Sequence, residues 1–556
     1  MEFPLIRRET PSKAHPYTNG GTTDSITSRI SHTEERNLPG GANWVVQKFG
    51  GTSVGKFAVK IAEDIVLAGL KEGGDGKAKQ QRIAVVCSAR STGTKAEGTT
   101  NRLLRAARDA EQSGSMEYVK IVKAIEEDHI AAGKRDVSSE AIVHNYSQAV
   151  SRECDVLQKI LQSAQFLQAV TNQTMDMVMS VGEKLSCLYM TALLQDRGAK
   201  AVYVDLSEVV PFAPAKSGLG DDFYLQLSTA LGDKVRSYGD DAVPVLTGYF
   251  GKVPGGLLEQ IGRGYTDLCA ALIAVGLRAR ELQIWKEVDG IFTADPRKVP
   301  TAKLLDAVTP SEAAELTFYG SEVIHPFTMD QVIKAAIPIR IKNVMNPRNQ
   351  GTVIFPDPAD TLIHTRPGLF RNRSVSNLLA DAASPLATPK RPTAVTIKPQ
   401  ITVLNVHSKK RTRAHGFLMS IFSTLDAHGL SVDLISSSEV HVSMALHSEN
   451  SLLSGHGEEE LQIQSAALRG AVDDLAKWGD IDLVPDMAII SLVGRQLRSM
   501  VGISGRFFST LGENGINIEM ISQGASEINI SCVIEEREAN RALNVVHTNL
   551  FTFLES

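Results

Sequence analysis

Closely spaced cysteines are absent from this sequence of 556 residues. The chain has five cysteines, and none of them forms a CxxC pair with another. Such wide spacing argues against a disulfide framework and is typical of buried or free thiols in a reducing compartment. The sequence therefore predicts a cytoplasmic protein. The cysteines are Cys87, Cys154, Cys187, Cys269 and Cys532.

An excess of basic charge is also missing. The 58 Lys and Arg residues face 63 Asp and Glu residues, a net charge of −5, so no nucleic-acid partner is expected. No apolar run approaches the roughly 20 residues of a membrane helix, so no membrane partner is expected either. Residues 1–43 lack the apolar core of a signal peptide, and their acidic residues fit a mitochondrial presequence poorly. Because they are rich in Ser, Thr, Gly and Pro, we interpret them as a flexible extension.

Short apolar segments alternate with helical patterns over residues 44–354. The segments are rich in Val and Ile, as expected of strands covered on both faces. Between them, apolar residues recur at helical spacing, for example over Ala58–Ala68. The alternation predicts an α/β domain with a doubly wound, mostly parallel sheet, which binds ligands at the carboxyl ends of its strands. The candidate strands are Trp44–Phe49, Ile83–Cys87, Ala201–Asp205, Val243–Thr247, Leu282–Trp285 and Ile337–Ile341.

A weak internal repeat follows a stretch with Pro, Ala and Ser, which we interpret as a linker over 355–394. Two segments recur at an offset of 86 residues and then of 88 residues. Each copy has an amphipathic helix, a glycine and two alternating strands, so the repeat predicts two α+β modules over 395–484 and 485–556. The matched segments are Phe422–Ser436 with Phe508–Ser522, and Ser438–Ser443 with Ser526–Ser531.

The segment VVQKFGGTSVGKF (Val45–Phe57) predicts a strand containing Lys48 and, after two glycines, a helix. Gly50 and Gly51 would let backbone amides approach an anion near the helix N-terminus, and Lys48 adds a full charge. The segment is neither GxxxxGK nor GxGxxG. A phosphate cradle and an ordinary tight turn with a lysine at its rim are both compatible with these residues alone.

Two further clusters place charged residues beside glycines. In MSVGEKLS, Glu183 follows a glycine at a predicted helix start, where it is either an ordinary first-turn acid or a counter-charge for an ammonium group. In GRGYTD, Gly262 and Gly264 bracket Arg263, whose guanidinium group suits a bidentate grip on a carboxylate. Asp267 of this cluster is either a helix N-cap or a functional acid.

A fourth cluster, VDGIFTADPR, predicts an acidic loop after a strand. Together the four clusters resemble the aspartokinases, and the resemblance extends from Trp44 to the C-terminus apart from the linker and a loop at 448–464. It implies the amino acid kinase fold followed by two ferredoxin-like ACT modules. No GxGxxG follows the repeat, and the single-activity fungal branch is the most similar. The matching motifs are KFGGTS (Lys48–Ser53), SVGE (Ser180–Glu183), GRGYTD (Gly262–Asp267), VDGIFTADPR (Val288–Arg297) and the HP of SEVIHP (His325–Pro326).

The resemblance implies an aspartate kinase, which transfers a phosphoryl group from MgATP to the β-carboxylate of L-aspartate. The product, 4-phospho-L-aspartate, begins the biosynthesis of threonine, methionine and isoleucine. A carboxylate is already an anionic nucleophile at neutral pH, so no general base is required. Lysine, backbone amides and the Mg²⁺ brought with ATP would stabilise the charge on the phosphoryl group, and no dedicated metal site is evident.

Matched motif by motif, the resemblance also implies roles for individual residues. Lys48 would contact the transferring phosphate, and Asp267 would orient it. Arg263 would bind the α-carboxylate of aspartate, and Glu183 would bind its ammonium group. Further substrate contacts are expected from Ser88, Thr100 and Thr266. Nucleotide contacts are expected from Gly50, Gly51, Thr52, Ser53, Lys286, Glu287, Phe292 and Arg297.

One position departs from the family pattern. Bacterial members often have a lysine before the VLHP element, near the phosphates, where this sequence has Glu322. Lys286 stands where those members often have threonine. We therefore expect Lys286 to supply the second positive charge near the phosphates of ATP.

The two ACT modules imply a small amino-acid effector bound where the sheets of two modules pair, and hence a homo-oligomer. Acid and amide groups at strand ends suit the ammonium and carboxylate of an amino acid, although each is also compatible with a solvated loop. The resemblance to fungal members favours L-threonine over L-lysine, which would need a second acid for its distal ammonium group. The candidate effector residues are Asp433, Ser438, Glu439, Asn517 and Gln523.

Two other functions remain compatible with parts of the sequence. One is a different kinase of the same fold, acting on acetylglutamate, glutamate or a nucleotide, which the pairing of SVGE with GRGxTD disfavours. The other is a catalytically silent amino-acid sensor that kept the ACT pair. Intact Lys48, Arg263 and Asp267 argue against it.

Overall fold

The structure is a computed structural model, and its described residues lie within Asn43–Ser556. The expected N-terminal extension, apart from Asn43, and most of the expected linker lie outside the described residues. The structure describes residues 43–71, 81–93, 97–210, 219–251, 253, 256–261, 264–320, 324–355, 391–409, 416–438, 440–447, 453–454, 462–495, 497, 500–524 and 528–552.

The first domain is built on an eight-stranded sheet. Its strands are β1 (Trp44–Phe49), β2 (Arg82–Cys87), β3 (Ala201–Val204), β4 (Val243–Thr247), β5 (Glu281–Lys286), β6 (Ala307–Val308), β7 (Ile339–Asn343) and β8 (Thr352–Ile354). They lie in the order β3-β4-β2-β1-β5-β7-β8-β6, and β7 with β8 is the antiparallel pair in an otherwise parallel sheet. The predicted mostly parallel sheet is thus confirmed.

Helices cover both faces of this sheet. One apolar core packs the helices within residues 221–334 against the sheet, and the other packs the helices within residues 51–196. Burial on both faces explains why the strands are apolar throughout. The helices are α1 (Gly51–Lys60), α2 (Thr99–Ala110), α3 (Glu117–Asp136), α4 (Glu140–Leu167), α5 (Asn172–Asp196), α6 (Asp221–Arg236), α7 (Leu257–Ile261), α8 (Tyr265–Leu277), α9 (Pro310–Phe318) and α10 (Pro326–Lys334).

The helical segment after β1 is less regular than its apolar spacing predicts. Phe57 leaves helical geometry (φ −130°, ψ 23°). Residues Ile61–Leu67 then form a π-helical stretch before a last helical turn at Ala68–Lys71. The apolar residues of the segment are nevertheless buried against β2 and α5, so the pattern identifies the buried face but not the local winding.

Helix α5 has the length and composition of a possible membrane span, with 25 residues and a mean hydropathy of 1.2. In the structure, however, 83% of its apolar window is buried inside the protein. Its apolar side chains belong to the core that also contains α2, α3 and α4. The apolar surface of α5 is therefore already covered by the rest of the domain.

The repeat region forms a second sheet with helices on it. The strands of the repeat region are β9 (Ala394–Ser408), β10 (Val432–Ser437), β11 (His441–His447), β12 (Leu453–Ser454), β13 (Gln462–Ile463), β14 (Gly479–Val493), β15 (Met520–Ser522) and β16 (Asn529–Glu535). The order β10-β11-β9-β14-β16-β15 gives an antiparallel six-stranded sheet, and β12 pairs with β13. The helices are α11 (Phe417–Ala427), α12 (Ala466–Leu475), α13 (Ile503–Glu513) and α14 (Ala539–His547).

The two copies of the repeat fold alike. Helices α11 and α13 begin 86 residues apart, and β11 and β16 begin 88 residues apart, as the matched segments predict. Gly416 and Gly502 precede the two helices with φ of 85° and 83°. Gly429 and Gly515 follow the helices with φ of 66° and 67°. These left-handed conformations favour glycine, so both copies enter and leave their helix in the same way.

Strands β9 and β14 have 15 residues each, and both modules share them. The second half of β9 pairs with the first half of β14, where Ser408 lies opposite Gly479, and this part lies beneath α11 and α12. The first half of β9 pairs with the second half of β14, where Ala394 lies opposite Val493, beneath α13 and α14. The first module is therefore continuous in the chain, whereas the second module completes its sheet with the first half of β9, from the start of the repeat region.

The second module contacts the first domain through α9. The carboxylate of Glu312 accepts hydrogen bonds from the Thr393 hydroxyl (2.6 Å) and the Arg495 N–H (2.8 Å). At the end of α9, the carbonyl of Tyr319 accepts from the Thr396 hydroxyl (3.0 Å), and the Tyr319 ring packs on the helix-free face of the repeat sheet. One short helix thus contacts both shared strands.

Candidate active site

Lys48 and Asp267 form an ion pair at the carboxyl edge of the first sheet. Lys48 is the next-to-last residue of β1, and Asp267 lies in the first turn of α8. Lys48 Nζ lies 2.8 Å from Asp267 Oδ1, and the two side chains are 12% and 19% exposed. The oxygen is within ion-pair distance without an aligned hydrogen bond. The carboxylate therefore restrains the position of the ammonium group.

Gly50 and Gly51 join β1 to α1 but have different surroundings. Gly50 is extended (φ −71°, ψ 161°), and a Cβ atom on it would meet nothing within 4 Å. A Cβ atom on Gly51 would lie 2.0 Å from the carbonyl oxygen of Ala89. The open space at Gly50 adjoins the N-terminus of α1 and follows Lys48 by two residues, so an anion can enter there. Gly51 instead permits close packing on the segment after β2.

Ser53 ties the start of α1 to the neighbouring strand. Its buried hydroxyl donates to Glu287 Oε1 at 2.7 Å, and Glu287 directly follows β5. Thr52 is exposed in the same turn. Phe49 and Trp285, at the ends of β1 and β5, stack with ring centroids 6.0 Å apart. The cradle thus has a fixed wall on the β5 side.

Glu183 lies in the middle of α5, so the expected helix start at this residue is wrong. The helix begins at Asn172, where the Thr171 side chain accepts from the Thr174 N–H. The apolar MVMSV run simply continues the helix through Gly182. A Cβ atom on Gly182 would lie 2.9 Å from Ala89 Cβ, so the glycine lets this turn of α5 approach the segment after β2.

The carboxyl group of Glu183 is 1% exposed and only partly satisfied. The Thr266 hydroxyl donates to Oε1 at 2.5 Å. Burial raises the pKa of Glu183 to about 7, against the hydrogen bonds from Thr266 and the Tyr249 backbone and the attraction of Lys48. Within the described part of the chain, Oε2 has no hydrogen-bond partner. A buried acid with one unpaired oxygen suits the cationic group of a ligand.

Tyr265 also contacts Glu183, and the sequence analysis missed it. Burial and the nearby Glu183 carboxylate raise the pKa of its phenol well above the usual value. The available signal was its place between Gly264 and Thr266 in the GRGYTD motif. We therefore add Tyr265 to the groups that fix this acid.

Ser88 directly follows the neighbouring strand β2, and Thr100 lies in the helix that comes next in the chain. The Ser88 N–H donates to the Phe49 carbonyl (3.1 Å), which places Ser88 directly beside the cradle. Thr100 lies in the first turn of α2, and a Cβ atom on Gly182 would be 3.3 Å from Thr99 Cγ2. The start of α2 is therefore close to the acid-bearing turn of α5.

The remaining residues expected at the nucleotide follow β5. Lys286 ends that strand and is half-buried. Phe292 forms an isolated β-bridge with Leu304. Arg297 is 86% exposed, and its Nε and Nη2 both donate to the Asp295 carboxylate at 3.0 Å. Three other expected residues, Arg263, Glu322 and Glu439, lie outside the described residues.

The expected effector residues of the first module lie near its outer strand. Asp433 on β10 forms an ion pair with Lys398 on β9, with Nζ 2.7 Å from Oδ2. The Ser438 N–H donates to the His441 carbonyl (2.8 Å) and closes the turn between β10 and β11. Asp433 is therefore already compensated by a cation of the same chain.

The expected effector residues of the second module are on its surface. Asn517 is exposed. Gln523 accepts a hydrogen bond from the Ser504 hydroxyl (3.1 Å), in the first turn of α13. Among the described residues, no group of three or more His, Cys, Asp or Glu forms a potential metal site.

Known proteins share both the sequence and this architecture. The profile of the amino acid kinase family matches residues 43–343, and an ACT domain profile matches residues 490–550. The aspartokinase of Candida albicans is 50% identical over 518 residues, which cover 91% of this chain and 90% of that protein. The aspartokinase of Saccharomyces cerevisiae is 51% identical over 514 residues, 92% of this chain and 93% of that protein.

Solved structures agree with these relatives. Aspartokinase III of E. coli in complex with aspartate and ADP (R state) matches with a TM-score of 0.65 and 26% identity, covering 91% of this chain and 99% of that one. Its complex with lysine and aspartate (T state) matches with a TM-score of 0.67 and 26% identity, covering 92% and 100%. With both domains matched and half of the aligned residues identical to those of fungal relatives, the chain belongs to the aspartokinases, the aspartate kinases of the amino acid kinase family.

Proposed function

We propose that this enzyme transfers the γ-phosphoryl group of MgATP to the β-carboxylate of L-aspartate in the cytoplasm. The product is 4-phospho-L-aspartate, the first intermediate toward threonine, methionine and isoleucine. The observation that carries this proposal is the buried carboxylate of Glu183, whose Oε2 has no hydrogen-bond partner within the described residues. The positive charge of Lys48 acts on the same carboxylate. A site with an acid beside an anion cradle suits a substrate that is itself an amino acid.

Glu183 would bind the α-ammonium group of aspartate. Burial destabilises the charged form of its carboxyl group, and a substrate ammonium group in contact with it would offset that destabilisation. The Thr266 hydroxyl holds Oε1 and leaves Oε2 for the ligand. Arg263 would then bind the α-carboxylate through its planar guanidinium group. Ser88 and Thr100 would contact the same substrate from the β2 side.

Lys48 would bind the transferring phosphoryl group, together with backbone amides at Gly50 and Gly51. Asp267 acts as a positioning residue, because it restrains the Lys48 ammonium group and the nucleophilic carboxylate needs no base. Mg²⁺ would arrive with the phosphates of ATP and compensate their charge. The ends of β1 and β5, tied by Ser53 and Glu287, keep the cradle rigid.

We further propose that L-threonine inhibits a homo-oligomer of this chain by binding to its ACT modules. L-lysine would need an acid for its distal ammonium group. Asp433 is paired with Lys398 and does not offer a free charge. Threonine needs only small polar partners, which Ser438, Asn517 and Gln523 supply. The coupling of such an effector to catalysis is typically about 1–3 kcal/mol.

A hydroxylamine trap for acyl phosphate tests the reaction. ATP with L-aspartate should give aspartyl hydroxamate, whereas N-acetyl-aspartate, which lacks the ammonium group, should give at most about a hundredth of that rate. Arg263→Lys should raise the KM for aspartate, since a point charge does not replace a planar fork. Turnover of acetylglutamate in place of aspartate would contradict the proposal.

Inhibition curves test the effector separately. Threonine at millimolar concentration should inhibit the parent enzyme, and lysine should not. Asn517→Ala and Glu439→Ala should weaken inhibition while the uninhibited kcat stays nearly unchanged. If lysine inhibits and threonine does not, the effector assignment is wrong and the kinase assignment stands.

A further inference from the structure

The ring of His547, at the C-terminal end of α14, contacts the loop that joins β5 to β6 (residues 287–306, the β5–β6 loop). The side chain is 1% exposed although it is a polar residue. Its Nε2 lies 2.8 Å from Thr293 Oγ1, and its Nδ1 lies 3.3 Å from Thr301 Oγ1. The ring stacks on Phe551 with centroids 5.0 Å apart and planes inclined by 7°. One imidazole thus joins two points of the same loop.

Both neutral tautomers of the ring are compatible with these hydrogen bonds. Thr293 Oγ1 also accepts from the Lys303 N–H (2.9 Å), and a hydroxyl group with that contact can still either donate to Nε2 or accept from it. In the neutral imidazole, one ring nitrogen donates and the other accepts. Burial and the charge of Lys303 lower the pKa of His547, which favours this neutral form. In the neutral form, each ring nitrogen hydrogen-bonds one threonine hydroxyl.

The same loop is fastened to the second ACT module by other contacts. The Val395 N–H donates to the Thr293 carbonyl (2.8 Å), and the Asn544 side chain donates to the Lys298 carbonyl (3.0 Å). Apolar side chains of the loop, including Val299, lie in the core formed by α13, α14 and the second half of β14. The loop is therefore packed as part of the ACT module although it belongs to the kinase domain.

We propose that His547 is a positioning residue for the nucleotide, acting through the β5–β6 loop. The inference rests on the proposed nucleotide contacts of Phe292 and Arg297. Phe292 directly precedes Thr293, and Arg297 lies between Thr293 and Thr301. By holding Thr293 and Thr301 at a fixed separation, the imidazole fixes the loop that presents these side chains. A residue of the regulatory region thereby sets the affinity of the catalytic site for ATP.

The test variant is His547→Phe, which keeps the ring and its stacking on Phe551 but removes both hydrogen bonds. We expect the Kd for ADP, measured by calorimetry, and the KM for ATP to rise about tenfold, the scale of two lost neutral hydrogen bonds. The KM for aspartate should stay within about twofold, because Glu183 and Lys48 are not on this loop. His547→Gln keeps one donor and one acceptor and should restore most of the ADP affinity.

Two further variants keep the test decisive if His547→Phe does not fold. Thr301 is exposed, so Thr301→Val should fold and should raise the Kd for ADP in the same direction, by about two- to threefold. The control is His428→Phe, since His428 bonds Asp474 within the first ACT module, and it should leave ADP binding unchanged.

An unchanged Kd for ADP in Thr301→Val and in folded His547→Phe would overturn the proposal. So would a parallel rise in the KM values of both substrates, because that indicates a general structural defect. Calorimetry with ADP does not depend on the reaction. If the parent binds ADP but forms no aspartyl hydroxamate, the proposed function fails while the role of His547 is still decided.

Discussion

Lys398 Nζ lies 2.7 Å from Asp433 Oδ2, and the two side chains are 13% and 4% exposed. The pair joins the first half of β9, in the part of the sheet that belongs to the second ACT module, to β10 of the first module. Lys398 Nζ also lies 4.6 Å from the centroid of the Phe318 ring, at the end of α9 in the kinase domain. The ion pair therefore lies where the two ACT modules meet the kinase domain.

Asp433→Ala should lower the free energy of unfolding by about 3 kcal/mol, because it leaves the Lys398 ammonium group buried without its counter-charge. The double variant Lys398→Met/Asp433→Leu should regain most of this loss, since it removes both charges. Urea unfolding measures both. A double variant that is as unstable as the sum of its single changes would contradict the ion-pair interpretation. Lys477→Ala, at an exposed pair, is the control and should change the midpoint little.

Lys48→Ala should lower kcat at least about 10³-fold, the scale of a lost charge clamp on a transferring phosphoryl group. Asp267→Asn should cost less, because Lys48 keeps its charge and loses only its restraint. Lys56→Ala, an exposed lysine on the same helix α1, is the matched control and should keep kcat. Steady-state kinetics with thermal melts separates the two effects. Near-normal turnover of Lys48→Ala would remove this residue from the mechanism.

The pH dependence of aspartate capture should follow Glu183. Only its ionised form attracts an ammonium group, and burial raises its pKa to about 7 in the free enzyme. The kcat/KM for aspartate should therefore fall as the pH drops below about 7, and Glu183→Gln should abolish this limb of the profile while lowering kcat/KM throughout. A wild-type limb that persists in Glu183→Gln would assign it to another group.

The same group links stability to pH. Because the pKa of Glu183 is raised in the folded state from its ordinary 4.5 to about 7, the free enzyme should be most stable below pH 4.5 as far as this residue is concerned. That contribution is lost as the pH rises toward 7. At pH 8, aspartate should therefore raise the melting temperature of the parent enzyme more than it raises that of Glu183→Gln. Differential scanning fluorimetry measures both shifts.

Gly50→Ala and Gly51→Ala should fail for different reasons. Alanine adopts the backbone conformation of Gly50 without strain, and its methyl group would enter the open cradle, so the KM for ATP should rise about tenfold at unchanged melting temperature. A methyl group on Gly51 meets a backbone oxygen at 2.0 Å and should destabilise the fold by about 1–3 kcal/mol. The reverse pattern would show that the anion enters elsewhere.

Lys286→Ala should raise the KM for ATP or lower kcat if this residue supplies the second charge near the phosphates. Glu322→Lys, at the position of the departure, should then be tolerated. Steady-state kinetics at varied ATP and saturating aspartate measures the KM for ATP and the kcat of both variants. A neutral effect of Lys286→Ala would leave that charge to another residue.

Local motifs predicted which residues lie close together because parallel strands end at one edge of the sheet. Lys48, Ser88 and Glu287 follow or end three adjacent strands, and α5 and α8 add Glu183 and Asp267 to the same edge. The fold class and the repeat were likewise predictable, since both leave a periodic pattern in the chain.

Long-range pairs left no such pattern. Thr293 and His547 are 254 residues apart, and the sequence around either residue does not indicate the other as its partner. Nothing near Lys398 in the sequence distinguishes it from a surface lysine, because its partner Asp433 lies on another strand of the sheet. The helix start at Glu183 was mistaken because a glycine ahead of an acid resembles an N-terminus, whereas here Gly182 serves close packing.

The shared strands β9 and β14 have a consequence for how the enzyme is made. The first half of β9 is synthesised early, yet its partner in β14 and the neighbouring β16 follow only near the end of translation. The second ACT module is thus not an autonomous folding unit, and a chain cut between the modules would leave the first half of β9 and its partner in β14 unpaired. Limited proteolysis should therefore release the ACT pair as one fragment, and the two halves expressed separately should aggregate unless they are produced together.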